Sequence, residues 1–266
     1  AVAQGVPPPA AATSRAGVEL GAVGDRGRGL GQVAGGPWMA VVKADAYGHG
    51  LGPVALTALS AGASWLGVAQ RAEALTLRAL LDEAGVRRPV GEPTSQAPRL
   101  LTWLLPVMEP DRAAAEDSPL RAALAADLDL SVSTLPQLEA LSAAARAQGR
   151  AARLHLKVDT GMSRGGATAQ ELPALAARAA ELPHVRLRGL MAIPPAARKE
   201  GENRPFFAPM RQLFVDIKGK SAHNQDDMDC LSMGMSGDYA DAIAEGSTLV
   251  RVGTALFGPR PPMTKQ

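Results

Sequence analysis

Trp38-Met39-Ala40-Val41-Val42-Lys43-Ala44-Asp45-Ala46-Tyr47-Gly48-His49-Gly50 is the stretch from which the fold can be read. An apolar run of strand character ends at a lysine, and a turn punctuated by glycines follows. The same unit recurs on both sides. Strand-like runs are expected at 18–20, 38–43, 65–68, 100–104, 128–132, 154–158, 185–191, 230–233 and 249–252. Helix-like stretches lie at 54–61, 71–79, 136–148, 170–181, 205–217 and 239–245. Such alternation implies parallel strands joined by crossover helices. Roughly eight repeats in 266 residues predict an α/β fold, a single (β/α)8 barrel of the TIM type. A doubly wound open sheet is the structural rival. In a barrel, Lys43 falls at the C-terminal mouth, where such folds carry their chemistry.

Lysine is scarce in most of this chain. Residues 1–198 hold two, Lys43 and Lys157, against eighteen arginines. Arginine keeps its proton near neutral pH, whereas a desolvated lysine can lose it and form a Schiff base. Retaining a primary amine at two patterned positions points to carbonyl chemistry. Pyridoxal phosphate is the commonest aldehyde that a lysine holds. After residue 198 the composition shifts, with Lys199, Asn203, Phe206, Phe207, Phe214, Lys218 and Lys220. The strand pattern runs on through the shift, so the fold is not divided there.

Hydrophobic residues make up 46% and aromatics 3%, so an aliphatic core with alanine-rich helices is expected. The net charge of +2 comes without a basic run, and no nucleic-acid partner is indicated. The longest apolar run, 100–108, is interrupted by Thr102 and Pro106 and is too short to span a bilayer. Cys230 stands alone, so no intrachain disulfide forms, which fits a cytoplasmic protein. Residues 1–15 read as a disordered Ala/Pro-rich extension without signal-peptide character, 16–260 as the barrel, and 261–266 as a tail.

Two late glycine loops complete the pattern. Leu231-Ser232-Met233-Gly234-Met235-Ser236-Gly237-Asp238 precedes a short helix, and Val250-Arg251-Val252-Gly253-Thr254 ends a strand. Small residues before helix starts suit an anion, and this pair falls where barrels place a phosphate, after strands seven and eight. The plain alternative for each loop is an ordinary turn. Asp226, Asp227 and Asp229 read as a solvated acidic loop, and no zinc or calcium spacing is present.

The segment around Lys43 closely resembles the cofactor signature of alanine racemases, fold-type III pyridoxal-phosphate enzymes. The resemblance continues through Gly62-Ala63-Ser64-Trp65-Leu66-Gly67-Val68-Ala69, Glu73, Leu77-Arg78 and Asp129-Leu130-Ser131-Val132-Ser133, over about 16–190. It implies that Lys43 carries the cofactor and acts as a catalytic base, and that Tyr47 contacts its phosphate. In Lys157-Val158-Asp159-Thr160-Gly161-Met162-Ser163-Arg164 it implies that Arg164 approaches the phenolic oxygen, held by a Lys157 that is often carbamylated in the family. A strand-end ion pair of Lys157 and Asp159 is the structural alternative. From about 186 to 260 the chain is more similar to the single-domain pyridoxal-phosphate homeostasis proteins. That likeness implies phosphate binding by Ser232, Ser236, Gly253 and Thr254, with Arg251 facing the pyridine nitrogen. The mixture fits either a natural intermediate or a chimera.

Two departures bear on activity. The racemase's second base is a tyrosine from a C-terminal β-domain, which is expected to be absent, and neither Tyr47 nor Tyr239 matches it. The racemase histidine that packs on the cofactor ring is replaced by Ile193. None of His49, His155, His184 and His223 is matched to a base role. The expected function is therefore racemisation of a small amino acid, alanine foremost, with low efficiency. The rival is a pyridoxal-phosphate carrier or homeostasis protein without substantial turnover. A third reading is a scaffold that has lost cofactor binding. The oligomeric state stays open, a monomer being compatible.

Overall fold

The computed structural model describes residues 20–161, 165–197, 199–220 and 227–258. Its strands are β1 Trp38–Val41, β2 Trp65–Gln70, β3 Arg99–Leu104, β4 Leu128–Val132, β5 Ala152–Val158, β6 Val185–Ala192, β7 Cys230–Ser232 and β8 Val250–Val252. They pair in chain order from β1 to β7, all parallel, and β8 pairs with β1, Met39 lying opposite Arg251. A parallel bridge from Ser232 to Leu249 joins the last two strands, and Arg251 N–H donates to the Gly234 carbonyl at 2.9 Å. The sheet therefore closes as a (β/α)8 barrel, and the open-sheet rival is excluded. Strands β7 and β8 lie beyond the compositional shift yet belong to the same sheet.

The helices are α1 Leu20–Ala34, α3 Leu51–Ser60, α4 Arg71–Glu83, α5 Pro110–Ala114, α6 Pro119–Ala125, α7 Leu135–Gln148, α8 Leu172–Glu181, α9 Arg204–Lys220, α10 Tyr239–Ala244 and α11 Thr254–Phe257, with a single turn α2 at Lys43–Gly48. Leu66, Leu100, Leu130, Leu154 and Leu190 are buried with apolar helix residues such as Leu77 and Leu138. Met39, Trp65, Leu101, Met191 and Leu249 form a second cluster inside the barrel. Local signals set the helix ends. For α7, Thr134 Oγ1 accepts the Gln137 N–H at 3.4 Å, Pro136 sits in the first turn, and Gly149 at φ 64° stops the helix.

The strand expected at 18–20 is corrected, because Leu20 opens helix α1. Residues 18 and 19, like the 1–15 extension and the 261–266 tail, lie outside the described residues. Helix α1 contains Gly21, Gly24, Gly27, Gly29 and Gly31. Each disfavours a helix by roughly 1 kcal/mol against alanine, so propensity could not reveal it. Packing explains Gly27, where a Cβ would meet the Ala61 Cβ at 2.7 Å and the Trp38 ring at 3.3 Å.

Turn α2 is left-handed. Ala44, Asp45, Ala46 and Tyr47 have φ of 55, 52, 53 and 62°. Left-handed backbone costs a residue with a side chain roughly 1–2 kcal/mol, so four in succession need outside support. Ala46 N–H donates to the Val42 carbonyl at 2.9 Å, and Leu51 N–H to the Asp45 carboxylate at 2.7 Å. From helix α4, Glu73 Oε1 accepts the Ala44 N–H at 2.6 Å.

The barrel floor is charged. Buried Asp129 accepts from Arg153 Nε at 2.7 Å and faces His155 Nε2 at 3.4 Å and Arg99 Nη1 at 3.7 Å. Asp229, just before β7, remains exposed as expected of a solvated acidic residue, and also pairs with Arg188. Burial alone would raise the Asp129 pKa. The hydrogen bond to His155 and the charges of Arg153 and Arg99 outweigh burial, and the pKa falls from 3.8 to about 2. A folded-state pKa below the unfolded one means stability that is present above pH 3.8 and lost as pH falls toward 2. The displacement corresponds to roughly 2 kcal/mol. Asp129→Asn should destabilise the barrel by roughly 3–5 kcal/mol at pH 7, because buried arginines lose their counter-charge. Urea unfolding should show that gap narrowing by roughly 2 kcal/mol between about pH 4 and pH 2. A gap independent of pH would contradict the ion-pair account.

Candidate functional site

The C-terminal mouth encloses a cavity of about 500 Å³. Lys43, Tyr47, Lys157, Ser236, Arg251, Gly253 and Thr254 all line it. Residues from the first, fifth, seventh and last strand units thus meet in one place. Lys43 stands just past β1, with Nζ 5.7 Å from the centroid of the Trp103 ring at the end of β3. Trp103 was missed in the sequence reading. Its signal was available, because it alternates with Leu101 on the inward face of β3.

The left-handed turn carries Tyr47 into the wall. Its ring packs on Phe257, with centroids 5.4 Å apart and planes at 56°. Gly253 leaves room for the phenol, since a Cβ there would meet the Tyr47 hydroxyl at 2.5 Å and the Val41 carbonyl oxygen at 3.3 Å. Ser236 Oγ accepts the N–H groups of Gly253 at 3.4 Å and Ala255 at 3.0 Å. Two backbone donors therefore already converge on an oxygen at the start of α11. The serine loop is shaped by Asp238, which accepts the Met235 N–H and an Asn203 Nδ2–H, each at 2.6 Å. Sequence reading gave neither Asp238 nor Asn203 a role. Only Asp238 had a local cue, its place three residues after Met235 at a helix start.

Arg251 is buried in the inner wall. Its Nη1 donates to the Ser232 carbonyl at 2.6 Å and hydroxyl at 2.7 Å, and its Nη2 to the Ala192 carbonyl at 2.6 Å. Burial lowers its pKa to about 10, so it stays cationic at neutral pH. Ser232 itself is fully buried behind the wall and does not line the cavity. Its hydroxyl meets Arg251, and its place is that of a support for the guanidinium.

Lys157 lies at the inward end of β5 and is mostly buried. Burial lowers its pKa, with Arg251 adding to the effect and Asp159 opposing it. Lys43, Lys157 and Arg251 face Asp159 and Asp238 around the described lining, an excess of positive charge that suits an anionic ligand. Arg164 and His223 lie outside the described residues. Tyr239 packs against the core, His155 belongs to the floor, and neither lines the cavity. Ile193 does line it. Among the described residues, no group of three His, Cys, Asp or Glu could hold a metal ion, and no helix is long and apolar enough to cross a membrane.

A primary amine, a phenol, convergent backbone donors and a fixed guanidinium around one cavity suit a phosphorylated aldehyde. A family model described as "Alanine racemase, N-terminal domain" matches residues 18–261. The alanine racemase of Mycolicibacterium smegmatis is 36% identical over 259 residues, covering 96% of this chain and 60% of that protein. The crystal structure of alanine racemase from Streptomyces lavendulae superposes with a TM-score of 0.70 at 32% identity, covering 91% of this chain and 58% of that one. PipY of Synechococcus elongatus, solved with PLP bound, gives a TM-score of 0.66 at 26% identity, covering 89% of this chain and 100% of that one. The chain thus spans about three-fifths of the length of these two racemases.

Gly253→Ala should destabilise the protein by roughly 1–3 kcal/mol, the usual effect of overpacking a filled wall. Tyr47→Phe in the same chain should recover part of that loss by removing the atom nearest the added methyl. Chemical denaturation of the two single variants and the double variant measures the coupling. Strict additivity would show that Gly253 and the Tyr47 hydroxyl do not press on each other.

Proposed function

We propose a function from one premise, that this chain belongs to the alanine racemase N-terminal domain family. Pyridoxal 5′-phosphate is the cofactor of this barrel, and in this reading the C-terminal mouth holds it. The residues present fit it. The observation that carries the reading is the convergence of Gly253 and Ala255 N–H groups on one oxygen, in the cavity that Lys43 and Arg251 also line. Lys43 supplies the amine that binds the cofactor aldehyde. Tyr47, Ser236, Gly253 and Thr254 receive the phosphate, and Arg164 is assigned to the phenolic oxygen. Ser232 acts through Arg251, by fixing the guanidinium.

Bound there, pyridoxal phosphate supplies an electron sink that acidifies the Cα–H of an amino acid. Lys43 then takes or returns the Cα proton on its own face. Arg251 keeps its proton at neutral pH and cannot readily share it with a ring nitrogen. The sink stays weak, and chemistry beyond proton exchange at Cα is disfavoured. The cavity suits a small amino acid, and alanine is the proposed substrate. Neither Tyr239 nor a histidine supplies a second base among the described lining residues, so water serves the opposite face. General acid–base help contributes roughly 10²- to 10⁴-fold, and the proposed rate of this chain by itself is lower by about that range than with two positioned bases.

A second reading is favoured by one observation. PipY is covered over its whole length by this chain. A barrel that holds the cofactor without substantial turnover is therefore the rival.

Two outcomes test these readings. Borohydride reduction of the cofactor-loaded protein and peptide mapping should label Lys43, and the label should vanish in Lys43→Ala but persist in Lys157→Ala. Labelling of another lysine would refute the assignment. Incubation with either enantiomer of alanine in deuterium oxide should give slow interconversion with deuterium at Cα, eliminated in Lys43→Ala and retained in Tyr239→Phe. A loaded protein that exchanges no Cα proton of either enantiomer belongs to the carrier reading.

A further inference from the structure

We propose that Glu73 is the positioning residue of Lys43, holding the left-handed turn that joins this lysine to Tyr47. The inference rests on the reading of Lys43 as the amine that binds the cofactor. The Ala44 N–H belongs to the peptide plane set by ψ of Lys43. Accepting that N–H fixes the backbone from which the lysine side chain departs. Glu73 Oε1 accepts it at 2.6 Å, and Glu73 Oε2 accepts the Gln70 N–H at 3.2 Å. Both carboxylate oxygens are used, and bonds from amides to a carboxylate are among the stronger kind.

The turn needs this contact more than an ordinary loop would. Its four residues with positive φ are alanine, aspartate, alanine and tyrosine, and of these aspartate alone tolerates that region at all readily. The contacts of Asp45 and Ala46 are local, within six residues of their partners. The Glu73 contact spans 29 residues and ties the turn to helix α4. Leu77, Arg78 and Leu81 of that helix are buried, so the carboxylate is mounted on a fixed element. At the far end of the same turn stands Tyr47, beside Gly253. One carboxylate therefore bears on the turn that carries both the amine and the phenol into the cavity lining. In a relaxed turn Lys43 would still follow β1, but its approach and the place of Tyr47 would no longer be coupled.

The test uses Glu73→Ala, Glu73→Gln and the double variant Glu73→Ala/Ala44→Gly. Glycine adopts positive φ without steric cost, and Ala44 is exposed, so its loss opens no cavity. Three quantities are read: amide hydrogen exchange over residues 43–50 of the cofactor-free protein, the dissociation constant for pyridoxal 5′-phosphate with borohydride capture at Lys43, and the melting temperature. Glu73→Ala should speed exchange in the turn at least tenfold and weaken capture at Lys43 by a similar factor. Glu73→Gln keeps an acceptor oxygen and should stay within about threefold of wild type. Ala44→Gly should restore most of the capture lost in Glu73→Ala. Unchanged exchange and capture in Glu73→Ala would overturn the proposal. So would losses that follow melting temperature alone and are not rescued by Ala44→Gly. If Glu73→Ala does not fold, Glu73→Asp, which withdraws the carboxylate by one methylene, decides by the same two readouts. Capture at a lysine other than Lys43 would refute the cofactor reading, while exchange in the cofactor-free protein would still decide whether Glu73 holds the turn.

Discussion

Closure of the sheet between β8 and β1 is the constraint on which the site depends. Each inner strand satisfies its backbone by pairing on both sides, and the ends can do so only by meeting each other. When Met39 comes opposite Arg251, the first and last strands are fixed side by side. Lys43 and Tyr47 follow one of them, and Gly253 and Thr254 the other. Residues two hundred positions apart thereby share one wall. The tight fit of the Tyr47 hydroxyl against Gly253 is a direct consequence, and it leaves no room for a side chain there.

The barrel separates its polar groups into two layers with different tasks. At the floor, Asp129 is surrounded by Arg99, Arg153 and His155, and mutual neutralisation keeps the buried charges in place. At the mouth, Arg251 is held by neutral acceptors, the Ser232 hydroxyl and two carbonyls. It has no carboxylate hydrogen-bonded to it among those contacts. Its charge is directed rather than cancelled, which suits the proposed task of facing a ligand ring. The apolar layer of Met39, Trp65, Leu101 and Met191 lies in the same interior and fills it with side chains.

Membership of the racemase family and likeness to a single-domain cofactor-binding barrel meet in the same cavity. The amine, the phenol, and the serine and glycine loops all lie within the residues 18–261 matched by the racemase family model, and the likeness to PipY covers 89% of the chain. The proposed activity follows from that combination. In the proposed reading Lys43 is the one base of the barrel, Arg251 is the buried cation of the same cavity, and proton exchange at Cα is the chemistry that such a set would support.

Much of this was determined by the sequence alone. The period of alternating strands and helices gave the barrel, because each strand is apolar enough to be buried on both faces and each helix carries one apolar side. Eight of the nine expected strands are present. The scarcity of lysine singled out Lys43 and Lys157, and the small-residue loops marked the mouth after β7 and β8. What tertiary structure decided has one physical cause, contact between residues far apart in the chain. Helix α1 exists against the propensity of its glycines because Gly27 lets it approach Ala61 and Trp38. Turn α2 is left-handed although alanine and tyrosine disfavour that conformation, and Glu73 is a long-range partner of that turn. Ser232 turned from the cavity to Arg251, Asp229 gained Arg188 as a partner, and Trp103 came to face Lys43 only when the sheet closed. Sequence patterns report a residue's preference for its neighbours along the chain, and none of these partners is a neighbour along the chain.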